Sequence, residues 1–371
     1  MSSLAIFSAS LEAVPEQETV SSSQKFELRF ANGIAEYFDN VSVLSPSVKR
    51  EITIGRVHFI PAKRVNKRIV DYYSACKKRG ITHVLMYGYD PLCILQALLL
   101  GTRVKKYAFV FDTHIGMSAF RRPFRRKLID TYYQLGIALL NWLTGVILFK
   151  KSAYEDMQLH IPYVLTTVTA NDIHIDYQEV LNEKAFEAYA VFYAGAITEY
   201  NCVEEICDAA KMFSDEKEDV RFDIYGDGPA LSKTMCRCSD NTFFHGRQPN
   251  QVVVAAMQHA DLVLNIRRTT DKVNMYAYPS KLVEYLENQK TILTTCVSEE
   301  EPLSEVTFVI DNTDPVTVHD AIKKIMVSNN EAARKRKRIE GYLNEYHNRK
   351  KELEKIAAFM MGKSFNENRV Y

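Results

Sequence analysis

Short apolar runs alternate with longer stretches of helical period along the whole chain. In the first half, residues 4–7, 41–44, 57–60, 83–87, 106–111 and 146–149 predict strands. Between them, 26–38 predicts a helix, with Phe26, Phe30, Ile34 and Phe38 repeating every four positions. Residues 65–79, 91–100 and 122–143 predict further helices. The rhythm repeats in the second half. Strands are predicted at 190–193, 221–225, 242–245, 262–266 and 291–294, and helices at 203–213, 231–236, 250–259 and from Pro279. Strands that alternate with helices build parallel sheets. Two such series predict an α/β fold of two doubly wound, Rossmann-like domains, with residues 172–188 as the linker. Ligands of open α/β sheets sit beyond the carboxyl ends of the strands. With the two domains facing each other, that places the site in the cleft between them.

Composition narrows the classes of function. A chain of 371 residues is long for one domain, and 47% hydrophobic with 25% charged residues is a globular balance. A net charge of +1 gives no global field for nucleic acid, and no reading motif accompanies the local charge. Two basic clusters stand out. Arg121, Arg122, Arg125, Arg126 and Lys127 surround Phe124, a mixture that suits an anionic membrane surface or a lipid diphosphate as well as a solvated helix start. Residues 334–338 read as part of a solvated C-terminal helix. The longest apolar run, 135–149, falls short of the roughly 20 residues of a membrane span. Seven scattered cysteines read as reduced cytosolic thiols, so the expected location is the cytoplasm, including the inner face of the membrane. Cys236, Cys238 and His245 lack a second ligand pair at zinc-like spacing, and no metal site is expected.

The chemistry concentrates in YPSKLVEYLENQKTILTT, from Tyr278 to Thr295. Pro279 suits a first helical position, where a missing N–H costs nothing. The backbone donors of Ser280 and Lys281 then have no partner inside the helix and point, with its dipole, at an anion. Lys281 adds a full positive charge, and Glu284 shares its face. Such a start could hold a phosphorylated sugar, the carboxylate taking ribose hydroxyls. An ordinary surface helix with a local Lys–Glu pair reads the same way. Three more strand ends precede it: VFYAG ending at Gly195, DIYGDGP with Gly226 and Gly228, and VLNIRR with Arg267 and Arg268. In the first half FVFDTHIG sets Asp112 and His114 at a strand end.

The order FYAG, IYGDGP, FFHGR, ADLVLNIRR, YPSKLVEYLENQKTILTT resembles the C-terminal half of GT-B glycosyltransferases, above all the family 4 retaining group that includes enzymes of bacterial surface-polysaccharide assembly. The resemblance is good over residues 190–311 and covers the first half only in outline. It implies an acceptor-binding domain at 1–175 and a nucleotide-sugar domain at 189–340. Residues 341–371 would form a C-terminal helix with the option of packing back on the N-terminal domain. It implies a transferase that moves a sugar from a nucleotide-diphosphate sugar, UDP favoured, to a hydroxyl of a lipid-linked glycan with retention, and needs no cofactor. Glu284 matches the ribose ligand, Ser280 and Lys281 the diphosphate-facing helix start, and Gly195 the first donor-domain loop. Gly226 and Gly228 would line the nucleotide. Arg267, or Arg268 in its place, would face the diphosphate, and His114, with Asp112 second, the transferred sugar. Two departures stand against the pattern: Tyr276 replaces the first of two family glutamates, and AITEYNCVEE after the first donor strand carries no basic residue. The alternatives are a sugar-nucleotide epimerase, an inverting GT-B transferase, or a non-catalytic glycan- or nucleotide-binding scaffold.

Overall fold

The computed structural model describes residues 2–9, 11–12, 22–66, 69–77, 79–110, 123–169, 187–269, 276, 278–295 and 302–363. The chain divides into two compact units. One takes Met1–Thr167, Met275–Tyr278 and Arg349–Tyr371; the other takes Val168–Asn274 and Pro279–Asn348.

In the first unit the strands are β1 (Ser3–Phe7), β2 (Asn40–Ser45), β3 (Ile52–Ile54), β4 (Val57–Pro61), β5 (Lys63–Arg64), β6 (Val70–Asp71), β7 (His83–Tyr87), β8 (Lys105–Val110), β9 (Gly145–Leu148) and β10 (Tyr163–Leu165). The helices are α1 (Ser22–Ile34), α2 (Tyr72–Lys77), α3 (Pro91–Leu99), α4 (Pro123–Leu140) and α5 (Lys151–Asp156). Eight strands form one sheet in the order β10-β9-β8-β7-β1-β2-β4-β3. Its pairings are parallel except that of β3 with β4. Every residue of β1 is buried, as expected where helices cover both faces. The chain starts at β1, winds outward through β2 and β4, then returns to β7 and winds the other way. That reversal, between β1 and β7, is the switch point at which such sheets open a crevice.

The second unit repeats the plan with β11 (Tyr189–Ala194), β12 (Val220–Tyr225), β13 (Thr242–Gly246), β14 (Leu262–Asn265), β15 (Ile292–Thr295) and β16 (Phe308–Ile310). Its helices are α6 (Val203–Asp215), α7 (Leu231–Met235), α8 (Asn250–His259), α9 (Ser280–Glu287), α10 (Pro315–Met326) and α11 (Asn329–Tyr346). The six strands are all parallel, in the order β13-β12-β11-β14-β15-β16. The switch point lies between β11 and β14. A core of Val191, Ile206, Phe213, Phe222, Leu264 and Leu293 joins the sheet to α6 and α10.

The last helix, α12 (Arg349–Met361), belongs to the first unit. Two glycines make room for it. A Cβ on Gly33 would stand 2.4 Å from Leu353, and one on Gly145 2.6 Å from the Phe359 ring. The Tyr107 hydroxyl then donates to the Met360 carbonyl at 2.8 Å.

Two helices differ from their sequence reading. Within 65–79 the described residues form β6, which pairs back on β5, followed by a helix of only six residues. The Asn66 side chain accepts from Ile69 N–H, and Gln96 accepts from Tyr72 and Tyr73 N–H and starts the helix late. Residues 26–38 form a helix that begins at Ser22 and ends at Ile34, before a turn. In α11, Lys335 is buried within the run read as solvated; it lies over the Phe308 ring and donates to the Ser304 carbonyl. Among the described residues, no helix is long and apolar enough to cross a membrane.

Candidate active site

At the second unit's switch point, Gly195 follows β11 directly and Arg267 comes two residues after β14. The glycine loops after β11 and β12 lie backbone against backbone. Ile197 N–H donates to the Asp227 carbonyl at 3.0 Å and Ala230 N–H to the Ile197 carbonyl at 3.1 Å. A Cβ on Gly226, whose φ is +137°, would stand 1.8 Å from the Gly195 carbonyl oxygen. One on Gly228 would stand 2.2 Å from the Ile197 carbonyl oxygen. The space these two glycines leave is therefore filled by the neighbouring loop. Their small size lets the two strand ends converge.

Helix α9 is set against this loop by its buried face, Leu282, Val283, Tyr285 and Leu286. Burying four such side chains is worth roughly 1.5–3 kcal/mol each before ordering costs. Tyr285 fixes the position further. Its ring meets Phe192 edge-on, and its hydroxyl lies 3.3 Å from Ala194 N and 3.4 Å from the Ala194 carbonyl oxygen, at the last residue of β11. At the start of α9, Pro279 occupies the cap position and Ser280 is the first helical residue, one place later than read from the sequence. Among the described residues no side-chain hydrogen bond caps the helix, whose first N–H groups have no partner a full turn back, and Ser280 is exposed. Lys281 Nζ and Glu284 Oε2 are 2.7 Å apart, both about three-quarters buried. The local Lys–Glu pair is thus present, and it sits at the helix start.

The two arginines after β14 part company. Arg267 is half-buried; its guanidinium lies 5.5 Å from the Tyr200 ring centroid and donates to the Tyr200 hydroxyl at 3.3 Å, while its N–H donates to Thr295 Oγ1. Burial pushes the hydroxyls of Tyr193 and Tyr285 well up, and the charge of Arg267 pulls both part of the way back. Its charge therefore reaches the end of β11 and the inner face of α9. Arg268 is exposed and pairs with Glu205 of α6 at 3.4 Å. Lys281 and Glu284 pair with each other, Tyr285 of the same helix reaches Ala194 next to Gly195, and Arg267 meets Tyr200 and Thr295, while Arg268 pairs with Glu205.

His245 and its neighbours form a separate support. The ring stacks on Tyr225 at 4.3 Å and shares a 2.7 Å hydrogen bond with Asp223, which also takes both guanidinium donors of Arg221. The Cys238 thiol donates to the Thr234 carbonyl. Tyr276 lies in the core of the first unit, where its hydroxyl donates to Asp156; burial and that carboxylate push it far up. Asp112, His114, Arg121 and Arg122 lie outside the described residues, as do the side chains of Phe124 and Arg126. Arg125 and Lys127 are exposed on α4.

The first unit has a cavity of about 310 Å³ at its own switch point, beyond β1 and β7. Phe7 and Tyr72, stacked at 4.5 Å, form one wall, and Glu27, Gly88, Asp90 and Gln96 supply the polar lining. Asp90 caps α3 by accepting from Leu92 and Cys93 N–H, with Pro91 at the first helical position. Sequence reasoning missed this cavity, although Asp90-Pro91, shortly beyond the end of β7, is its local sign. It also missed Tyr200 and Tyr285, whose polar tips close tertiary contacts that periodicity does not encode.

Residues 188–328 match the family model of group 1 glycosyl transferases. A search of curated proteins finds no match. Among solved structures, sucrose-phosphate synthase from Thermosynechococcus elongatus superposes with a TM-score of 0.71 at 11% identity, over 98% of this chain and 99% of that one. The α,α-trehalose-phosphate synthase (UDP-forming) from Burkholderia xenovorans, in complex with glucose-6-phosphate, gives 0.68 at 9% identity, over 97% and 100%. WaaG, a glycosyltransferase of lipopolysaccharide biosynthesis, gives 0.65 at 14% identity, over 97% and 100%. The chain has the two-unit fold of GT-B glycosyltransferases, and its residues 188–328 match their group 1 family model.

Proposed function

We propose that this protein moves a sugar from a nucleotide-diphosphate sugar to a hydroxyl of a lipid-linked glycan, with retention of anomeric configuration and no cofactor. The observation that carries the donor reading is the start of α9, which holds the Lys281–Glu284 pair and is tied through Tyr285 to the last residue of β11. The diphosphate would lie on the free N–H groups of that start. Lys281 would turn from Glu284 to the phosphate, and Glu284 would then accept from the ribose hydroxyls. Lys281 and Arg267 would stabilise the charge that develops on the leaving diphosphate, a preorganised contribution of the kind that dominates such catalysis. UDP is the favoured nucleotide, and the trehalose-phosphate synthase above is described as UDP-forming.

The acceptor sugar would enter the first unit's cavity, whose paired aromatic wall and carboxylates suit a pyranose ring and its hydroxyls. His114, with Asp112 as second candidate, would contact the transferred sugar; that assignment rests on the resemblance alone. The test is incubation with UDP-sugars, with and without glycan acceptors. Acceptor-dependent UDP release and a glycosylated product with the donor's anomeric configuration are expected. An epimerised donor formed without acceptor would replace the transferase reading by an epimerase. The absence of turnover with every acceptor, alongside tight nucleotide binding, would leave a scaffold.

A further inference from the structure

Helix α4 has an inner side that accounts for its packing and an outer side that does not. On the inner side, Gly136 passes so close to α3 that a Cβ would stand 2.1 Å from the Tyr89 carbonyl oxygen. Tyr132 donates to Asp90 at 3.0 Å, Tyr133 packs edge-on to Tyr89, and Leu140 is buried. On the outer side Leu128 is 57% exposed and Leu135 51%, and Trp142, in the turn that follows, is 75% exposed. Thr131 and Ala138 between them are also exposed. The spacing three, four, three places Leu128, Thr131, Leu135 and Ala138 on one stripe, and Trp142 follows in the turn after the helix. Leu95 and Leu99 of the adjacent α3 are exposed as well. Large apolar side chains gathered on neighbouring elements mark a surface that meets something other than water.

Charge decides what it meets. Arg125 and Lys127 are exposed at the start of α4. At 3.6 residues per turn Lys127 falls about 80° to one side of the line through Leu135 and Arg125 about 80° to the other, on the line of Tyr132 but two turns before it and exposed, while Asp130, the one acid in the helix, falls about 140° away. An apolar stripe flanked on both sides by cations, with its acid turned off the face, complements anionic headgroups above an acyl layer. A protein partner with a matching apolar patch would not require cations on both flanks.

We infer that α4 and the Trp142 turn lie in the surface of an anionic lipid bilayer, Leu128, Leu135 and Trp142 entering the headgroup–acyl boundary and Arg125 and Lys127 meeting lipid phosphates. This deepens the lipid-linked acceptor reading, on which its biological sense rests, by naming the surface that meets the carrier's membrane. Tryptophan suits that boundary because its ring is apolar and its N–H polar.

The chain has one tryptophan, so its emission reports on this surface alone. Titrating the full chain at low salt with vesicles rich in phosphatidylglycerol is expected to shift that emission to the blue, with quenching by bromine-labelled lipid. Pure phosphatidylcholine vesicles should bind far more weakly. Leu135→Glu should weaken vesicle binding by about tenfold or more. Arg125→Glu with Lys127→Glu should weaken it by roughly fivefold per residue and remove most of its salt dependence. No lipid-dependent shift, or equal binding to neutral vesicles unaffected by the charge reversals, would overturn the inference. So would a blue shift without lipid that grows with protein concentration together with dimer mass, since the stripe would then join two copies. UDP binding by Leu135→Glu, followed by thermal shift, should match wild type. Loss of UDP binding in wild type with vesicle binding intact would instead strike the donor reading and leave this one standing.

Discussion

Lys281 and Glu284 carry the residue-scale argument because their 2.7 Å pair stands at an uncapped helix start. Glu284→Ala is expected to weaken nucleoside diphosphate binding by about tenfold or more, since a charge-assisted hydrogen bond is lost. The loss should be much smaller for the 2′,3′-dideoxy nucleotide, and calorimetric titration of both ligands checks it. Gly226→Ala should destabilise the protein by about 2–4 kcal/mol, because the new Cβ meets the Gly195 carbonyl oxygen at a φ that L side chains rarely adopt. Lys290 sets a pH dependence. Burial pushes its ammonium down to about 8, partly offset by Asp261, while its Nζ donates to the Gln258 carbonyl. Below about 8 both folded and unfolded chains hold the proton, and the penalty is full. Between there and the ordinary lysine range only the unfolded chain holds it, so this residue's contribution to stability rises with pH. Lys290→Met should remove a penalty of up to about 3 kcal/mol at neutral pH and flatten the alkaline limb. Denaturant unfolding at neutral and alkaline pH reads both. The helix-start pair was legible in the sequence because residues three apart share a face whatever the fold. The different surroundings of Arg267 and Arg268 were not, because Tyr200 and Glu205, which they meet, lie far upstream and reach them only in the folded unit.

At the scale of elements, α9 acts as a lever held at one point. Tyr285 ties it to the last residue of β11, so the direction in which its N–H groups point depends on a contact a full turn inside the helix. Tyr285→Phe keeps the ring and removes the hydroxyl. It should cost about 1 kcal/mol of stability and weaken UDP binding a few-fold, with KM for the donor rising more than kcat falls. Equal UDP affinity in the variant would show that the helix start needs no such anchor. Most strands could be read from the sequence because parallel strands buried on both faces are short unbroken apolar runs. The β5–β6 pair could not. Its residues carry a helical spacing, and the β5–β6 ladder with the Asn66 and Gln96 side-chain bonds decides against helix. The return of α12 to the first unit rests on Gly33 and Gly145, whose small size has meaning only once Leu353 and Phe359 arrive.

At the scale of the whole molecule, two doubly wound units each place a switch point where the chain reverses its winding, and each switch point carries a feature that can hold a ligand. In the second unit it is the start of α9 with Arg267; in the first it is the cavity beyond β1 and β7. That plan was legible because the strand–helix rhythm fixes it. The placing of Tyr276 was not, since its segment is read from a stretch otherwise belonging to the donor unit and yet packs with Asp156 in the first. The proposed activity reduces to a grip on two phosphates. Its most direct measurement is calorimetric titration of UDP and of uridine into wild type, Lys281→Met and Arg267→Met. The account predicts that wild type prefers UDP to uridine by about a hundredfold or more and that each variant loses most of that preference while its uridine affinity holds. Equal affinity for the two ligands in wild type, or a preference that survives both substitutions, would contradict it.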